Sequence, residues 1–376
     1  MGGMRRWLRA WVAGAFLLLA PLAAWAGWEP LGAGVQGMVT HLACSPKGVL
    51  YVGGIFFDAG GQSAFGLASW DPASGWTPLK PTLDNTLQGM ALRGDGSLVV
   101  AGAFWKAGDQ DLRLVGRYDP EARTWTPMGA QNTPMNGTYR ADVPGVVSGP
   151  PSALGEGASG LFAAFGTMGG EDENEVFEIR RWTGSGWSVP LGRAENVWVA
   201  ALLPEPEGTL WVGGAFRRVG GTAAARVARY DLASKRWHPL GRGLGGGDVY
   251  ALARDRRGHL VAGGSFTRAG GLPASRVARW DGKAWHPLGK GFNGPVQALA
   301  LGPDGALYAG GDFTKAEGRI APHLARWDGA KWEPFGPGTD GSVVALAWAP
   351  DGTLYVGGDF SRVGKVPAAK VARFVP

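Results

Sequence analysis

The chain has 376 residues, 45% of them hydrophobic, with 65 glycines and only 18% charged residues, a mix that suits an all-β protein with a large core and many tight turns. Its formal net charge of +6 falls to +3 once Arg5, Arg6 and Arg9 of the N-terminal segment are set aside, a surplus too small to hold nucleic acid without clustering. Cys44 is the only cysteine, which excludes an intramolecular disulfide.

Residues 1–26 read as an export signal outside the fold. Three arginines form a positive start, Ala10 to Ala23 is apolar, and Ala24-Trp25-Ala26 places small residues for cleavage before Gly27. Arg5-Arg6 resembles a twin-arginine signal, but no Ser or Thr precedes the pair, which favours the general secretory route; an uncleaved anchor is the alternative. No second apolar run reaches the roughly 18 residues needed to cross a bilayer. The expected location is periplasmic, cell-surface or secreted. Cys44 lies well beyond the apolar run, too far for lipidation, and aligns with Leu301 inside a repeat, as a small core residue would.

From residue 27 onward the chain repeats itself. The marker Trp-x-Pro-Leu/Met/Phe-Gly, in places altered by one residue, starts at Trp28, Trp76, Trp125, Trp187, Trp237, Trp285 and Trp332, at intervals of 48, 49, 62, 50, 48 and 47 residues. Seven copies of near-50-residue units built from short strands predict blades, not a helical solenoid. Val296 to Gly336 is the most regular copy. Strand A is Val296–Ala300, followed by the tight turn Pro303-Asp304-Gly305; strand B is Leu307–Phe313, with its Gly-Gly-x-Phe; strand C is Leu324–Asp328; and strand D is Lys331–Phe335. The last copy stops after strand C, at Val371–Phe374, while Trp28–Leu31 forms an orphan strand D. The expectation is one domain, 27–376, an all-β, seven-bladed β-propeller of four-stranded blades whose N-terminal strand completes the last blade and removes two open edges.

These Gly-Gly-x-Phe and Trp-Asp-Gly motifs resemble the kelch and galactose-oxidase-central-domain type of propeller. They are also similar to the repeats of secreted bacterial proteins and of the fungal cortical-polarity-marker family. The resemblance covers the whole mature chain but departs from kelch in the Tyr and Trp spacing after Gly-Gly. Propellers host many functions, so the resemblance implies a fold and not an activity.

In such a fold the longer B–C and D–A connections share one face, which is where a site is expected. Just after strand B the copies carry Lys106, Arg218, Arg268, Lys315 and Arg362, with Asp58 in the first. These are either a solvated ring paired within blades or an anion-binding rim for carboxylate, phosphate or an acidic glycan. A second series in strand C, Arg117, Arg181, Arg229, Arg279, Arg326 and Arg373, is followed two residues later by Asp in most copies. Period-two geometry puts each such pair on one face, a structural role. The repeated tryptophans are expected to pack between blades.

The third copy breaks the pattern. Its D–A connection, Gly129 to Pro151, is about 15 residues longer than its counterparts and offers Tyr139, Arg140 and Asp142 as contacts; its strand B lacks Gly-Gly-x-Phe. Its B–C loop carries Glu171, Asp172, Glu173, Asn174 and Glu175, which with Asp109 and Asp111 could hold Ca²⁺, although the Asp-x-Asp-x-Asp-Gly pattern is absent. Loop drift is the alternative for both segments. No compact metal-ligand spacing, no copper-radical Tyr–Cys pair and no sialidase box appears among the repeats. The leading expectation is an exported, monomeric, non-enzymatic module that binds a protein or glycan through its long-loop face, with no catalytic residues, no nucleic acid and no membrane span after cleavage. The alternative is an exported lyase or hydrolase using Asp58, Asp109 and Glu171 with arginines of the rim.

Overall fold

The computed structural model describes residues 27–129, 151–166, 176–195 and 198–376. All regular structure among them is β-strand. No helix of the described residues is long and apolar enough to cross a membrane.

The described strands assemble into seven antiparallel meanders of four principal strands each. The first runs Val35–Cys44, Leu50–Ala59, Leu67–Asp71 and Gly75–Pro78. The sixth, the most regular, runs Val296–Leu301, Leu307–Gly311, Leu324–Trp327 and Trp332–Pro334. The seventh is made of Ser342–Trp348, Leu354–Asp359 and Val371–Val375, with Gly27–Pro30 from the other end of the chain as its fourth strand. That strand pairs antiparallel, Gly27 opposite Val375 and Pro30 opposite Ala372. The Glu29 carboxylate accepts two hydrogen bonds from Arg373, from Nε at 2.9 Å and Nη2 at 2.7 Å.

The A–B turn of the sixth sheet shows why the repeat makes hairpins. Gly305 donates its N–H to Gly302 O at 2.9 Å, Asp304 Oδ1 accepts from the Ala306 N–H at 3.0 Å, and Gly305 takes the left-handed φ of +72° that closes the turn.

Neighbouring sheets meet face to face, and the core is divided among these interfaces. One cluster joins Val261 and Val277 of the fifth sheet to Val296, Phe313 and Trp332 of the sixth; another joins Tyr355 and Val371 of the seventh to Val39, Val52 and Trp76 of the first. Strand A of each sheet touches strand A of the next, and Ser342–Trp348 touches Val35–Cys44.

The Gly-Gly pair follows from two close approaches. A Cβ on Gly310 would press into Val343 of the next sheet at 2.6 Å, and one on Gly311 would strike the Pro295 carbonyl of its own strand A. Strand A is pushed there by a β-bulge between Val296 and Ala298, and an equivalent register shift recurs in all seven sheets. In the seventh sheet the same cavity, at Gly357, receives Val39 of the first.

The tryptophans link the sheets in series. Indole N–H groups of Trp76, Trp125, Trp187, Trp237, Trp285 and Trp332 donate to the carbonyls of Leu31, Pro81, Met128, Leu191, Leu240 and Leu288, at 2.7 to 3.1 Å. Each acceptor lies in or just after the preceding marker. Trp28 instead packs on Phe335 and Phe374, at ring-centroid distances of 6.0 and 5.4 Å. Complete burial of an indole such as Trp332 removes on the order of 200 Å² from water, worth up to about 5 kcal/mol.

Strand C arginines such as Arg326 and Arg117 brace their own sheets, but not through the Asp two residues on. Arg326 binds Asp304 of the A–B turn at 2.8 Å, and Arg117 binds Asp95 at 3.1 Å. The downstream aspartates cap their own C–D turns instead: Asp328 Oδ1 accepts from the N–H groups of Ala330 and Lys331, both at 2.8 Å. Two residues along a strand share a face, but the turn N–H groups lie nearer to the carboxylate than the guanidinium does. Cys44 is half-buried, not enclosed; burial, with Asp351 nearby, pushes its thiol up to about 11.

Candidate functional site

The B–C connection is a hairpin, not an irregular loop. Lys106–Ala107 pairs with Gln110–Asp111, Arg268–Ala269 with Leu272–Pro273, Lys315–Ala316 with Arg319–Ile320, and Arg362–Val363 with Val366–Pro367. Arg218–Val219 and Thr222–Ala223 form the same ribbon. The D–A linker lies along it, through bridges such as Leu83 with Ala107 and Thr339 with Val363. The two long connections therefore interlock on one face.

An Asp or Asn in the linker clamps the hairpin. Asn293 Oδ1 accepts from the N–H groups of Thr314 and Lys315 at 2.9 and 2.7 Å, and Asp340 Oδ1 from those of Ser361 and Arg362 at 2.8 and 2.9 Å. Burial works to raise the Asp340 carboxyl, but the Ser361 hydroxyl and these N–H groups hold it below the usual carboxylate range. The recurring Phe just before each hairpin, such as Phe313 and Phe360, is buried and anchors the ribbon from below.

The five rim cations all open their hairpins, and all are exposed. Arg218, Arg268 and Arg362 donate to the carbonyl three residues on, at Gly221, Gly271 and Lys365, with distances of 2.6, 3.4 and 2.9 Å. Asp58 does the reverse, accepting from the Gly61 N–H at 3.0 Å. Lys106 and Lys315 make no side-chain ion pair among the described residues. The arginines thus finish their own turns while leaving part of each guanidinium in solvent. Asp111 is paired with Arg113 at 3.0 Å, and among the described residues no group of three or more His, Cys, Asp or Glu could hold a metal. Tyr139, Arg140, Asp142, Glu171, Asp172, Glu173 and Glu175 lie outside the described residues.

Two features of this face are absent from the sequence reading. The residue before strand C is Arg226, Arg276, His323 or Lys370 in four copies, each at a left-handed φ of 62 to 72°. Their N–H groups donate to Phe216, Phe266, Phe313 and Phe360 carbonyls, a bond that holds the unfavourable conformation. Side chains from this series reach Asp248 from Arg226 at 3.3 Å and Asp359 from Lys370 at 2.6 Å. The recurring cation ahead of Val/Leu-Ala-Arg was visible in the sequence and was the available signal.

The second feature is apolar. Of the large hydrophobic side chains that face solvent, Ile55, Phe57, Phe65, Trp105, Trp198, Leu272 and Ile320 belong to this face. Phe57 is 65% exposed and meets Phe65 edge to face at 5.6 Å. Phe57 and Trp105 directly follow the anchor Phe of the first and second sheets, where the later sheets place Arg217, Thr267, Thr314 and Ser361. A cavity of about 300 Å³, lined by Ser63, Phe65, Lys80, Pro81, Thr82 and Gly108, lies between these two hairpins. In the fourth and fifth sheets Trp198 stacks on Tyr250, with centroids 5.6 Å apart and planes at 19°.

The third sheet differs inside as well as outside. Arg180 takes the place of the small strand C residue found as Ala228 or Ala325 elsewhere, and it is fully buried. Its Nη2 lies 2.7 Å from Glu178 Oε2, while Arg193 Nε lies 3.0 Å from the other carboxylate oxygen.

Residues 349–376 match the model of a β-propeller domain of unknown function, DUF5122. No curated protein matches the chain in sequence. Among solved structures, the chain superposes on the extracellular domain of BT4673 from B. thetaiotaomicron with a TM-score of 0.55 and 11% identity, over 93% of this chain and 40% of that one. This chain thus spans well under half of that domain. U3-55K gives a TM-score of 0.55 at 13% identity, covering 93% and 99% of the two chains. The WD40 β-propeller domain of Doa1 gives 0.55 at 11% identity, covering 93% and 96%. At such identities the likeness concerns the fold alone: the protein is an all-β chain of β-propeller type.

Proposed function

We propose that the chain is an exported, non-enzymatic, seven-bladed propeller that binds a protein or glycan partner through its hairpin face. Support for the ring comes from the pairing of Gly27–Pro30 with Val371–Val375 and the seating of Val39 at Gly357. Support for export comes from the apolar segment within residues 1–26. The binding role rests on one observation, the exposed apolar patch of Ile55, Phe57, Phe65 and Trp105, in which Phe57 and Trp105 stand where later sheets place polar side chains. Exposed aromatic rings beside a cavity are costly to keep in water and serve either to anchor a protein surface or to stack on sugar rings. The extracellular-domain neighbour fits an exported binding module. A hydrolase or lyase is less favoured, because Asp58 is occupied in capping its own turn. Calcium is likewise less favoured, because Asp111 is paired with Arg113.

The test compares the wild type with a chain carrying Phe57→Ser, Phe65→Ser and Trp105→Ser in a glycan array and in pull-downs from the cell surface of the source. Loss of about ten-fold or more in retention, with thermal stability intact, is expected from removing exposed aromatic anchors that a partner would cover. Equal retention by both chains overturns the reading.

A further inference from the structure

On the opposite end of the sheets, the short turns of the fifth and sixth sheets enclose a groove of about 110 Å³. Its charged walls carry four arginines, Arg256, Arg257, Arg279 and Arg326, against three aspartates. The aspartates are engaged. Asp304 holds Arg326 through Nε and Nη2 at 3.0 and 2.8 Å and accepts from the Ala306 N–H and the Tyr308 hydroxyl. Asp328 caps its turn. Asp255 accepts from the N–H groups of Arg257 and His259, and its second oxygen faces the His259 ring at 3.1 Å.

That leaves Arg279 short of a partner. Its nearest carboxylate, Asp255, is 4.0 Å from Nη1, and its Nε is buried with no hydrogen-bond acceptor. The turn and the register together explain the deficit. Arg326 of the sixth sheet is held by Asp304, one residue before the turn glycine, where the fifth sheet has Arg257; and strand D, which in the seventh sheet sets Glu29 against Arg373, sets His286 across from Arg279, with its Nε2 2.7 Å from Asp281. Arg256 and Arg257 are exposed at the mouth of the groove and form no ion pair among the described residues. Grooves between other sheets are matched internally: Arg254 lies between Glu205 and Glu207 at 2.8 and 3.1 Å, and Lys47 meets Glu121 at 2.6 Å.

We propose that this groove is an anion-binding site for a single oxyanion group, phosphate, sulfate or carboxylate. Arg279, whose side chain is 30% exposed and lines the groove, acts as the central donor, and Arg256 and Arg257 act as flanking donors. A guanidinium with no carboxylate closer than 4.0 Å is poorly compensated, and an oxyanion in the groove can meet its accessible N–H groups through charge-assisted hydrogen bonds. The groove's size suits one such group rather than an extended polyanion. This site is on the face opposite the aromatic patch and does not depend on that reading.

The test is thermal unfolding of the purified chain with added inorganic phosphate, sulfate or acetate, ionic strength being held constant with sodium chloride. The expected result is a saturable rise in Tm with at least one of the three, and the responsive salt identifies the chemical source. His286→Glu places opposite Arg279 a carboxylate of the kind that Glu29 sets against Arg373 in the seventh sheet, so it should abolish the rise without lowering the starting Tm. Arg256→Gln with Arg257→Gln, both at exposed positions, should raise the half-saturating concentration roughly ten-fold. The proposal fails if the three anions stabilise the wild type no more than chloride does, or if both variants respond as the wild type.

Discussion

Removing residues 27–33 tests the ring more sharply than any single substitution, because the segment acts on two sheets. It takes the fourth strand and Glu29 from the seventh sheet. It also removes Leu31, which is fully buried in the cluster joining the last and first sheets, and whose carbonyl accepts the Trp76 indole N–H at 2.7 Å. Loss of the Leu31 side chain costs about 2–5 kcal/mol, and a buried indole N–H left unsatisfied about 1–3 kcal/mol. The half-exposed Glu29–Arg373 pair adds at most about 1 kcal/mol. These terms overlap, but a total of about 5 kcal/mol is comparable with the whole stability of an ordinary domain. Denaturant unfolding of the chain beginning at Gly34, compared with one beginning at Gly27, should show a large drop in midpoint or no folded baseline. Adding a synthetic peptide of residues 27–33 should restore the midpoint in a concentration-dependent way, since a segment that binds only the folded state stabilises it by mass action. An unchanged midpoint in the shortened chain would refute the reasoning.

Burial pushes His41 down to about 4, so the folded state excludes a proton that the unfolded state takes up below about 6.5. Stability should therefore fall as pH drops from about 6.5 to 4, by about 2 kcal/mol after allowance for the ring's partial exposure; His41→Gln should flatten that slope, and identical slopes would count against it. Gly220 and Gly221 are both left-handed, at φ of +54 and +75°, but only a Cβ at Gly220 would strike the Trp237 ring. Gly220→Ala should cost about 3 kcal/mol and Gly221→Ala about 1 kcal/mol by chemical denaturation. Arg180→Met should destabilise by about 3 kcal/mol because it strips the main partner from the buried Glu178, and a melting temperature equal to the wild type would show that Arg193 suffices.

Much of the fold was legible because the repeat is written in residues with few alternatives. A Trp marker every 50 residues or so, Asp-Gly at the A–B turn and Gly-Gly at the end of strand B each report a contact that no other residue could make. Gly310 shows this, since only a glycine admits Val343. The hairpins of the B–C connection were missed for a different reason. Strands of two residues, such as Lys315–Ala316, are too short to show alternation, and they are held by Asn293 from elsewhere in the chain. The left-handed residues before strand C were hidden because Arg, His and Lys have no preference for that conformation; the bond to the preceding Phe carbonyl imposes it.

The candidate site was legible by location and not by chemistry. Charge repeats at Lys106, Arg218, Arg268, Lys315 and Arg362 marked the face, but a letter code does not show that Arg218 and Arg362 bend back onto their own turns. Phe57 and Trp105 look like core residues in a strand-rich sequence. Only their place one step beyond a buried Phe turns them outward, through the two-residue alternation of a strand.

The series of indole bonds has a direction, and synthesis runs along it. Each of six tryptophans reaches back to a carbonyl made earlier in the chain, so every new sheet can clip onto one that already exists as the polypeptide emerges. Trp28 is the exception: it packs against Phe335 and Phe374, which are made long after it. Until Val371–Val375 is made, Gly27–Pro30 has no strand to pair with and its edge stays open.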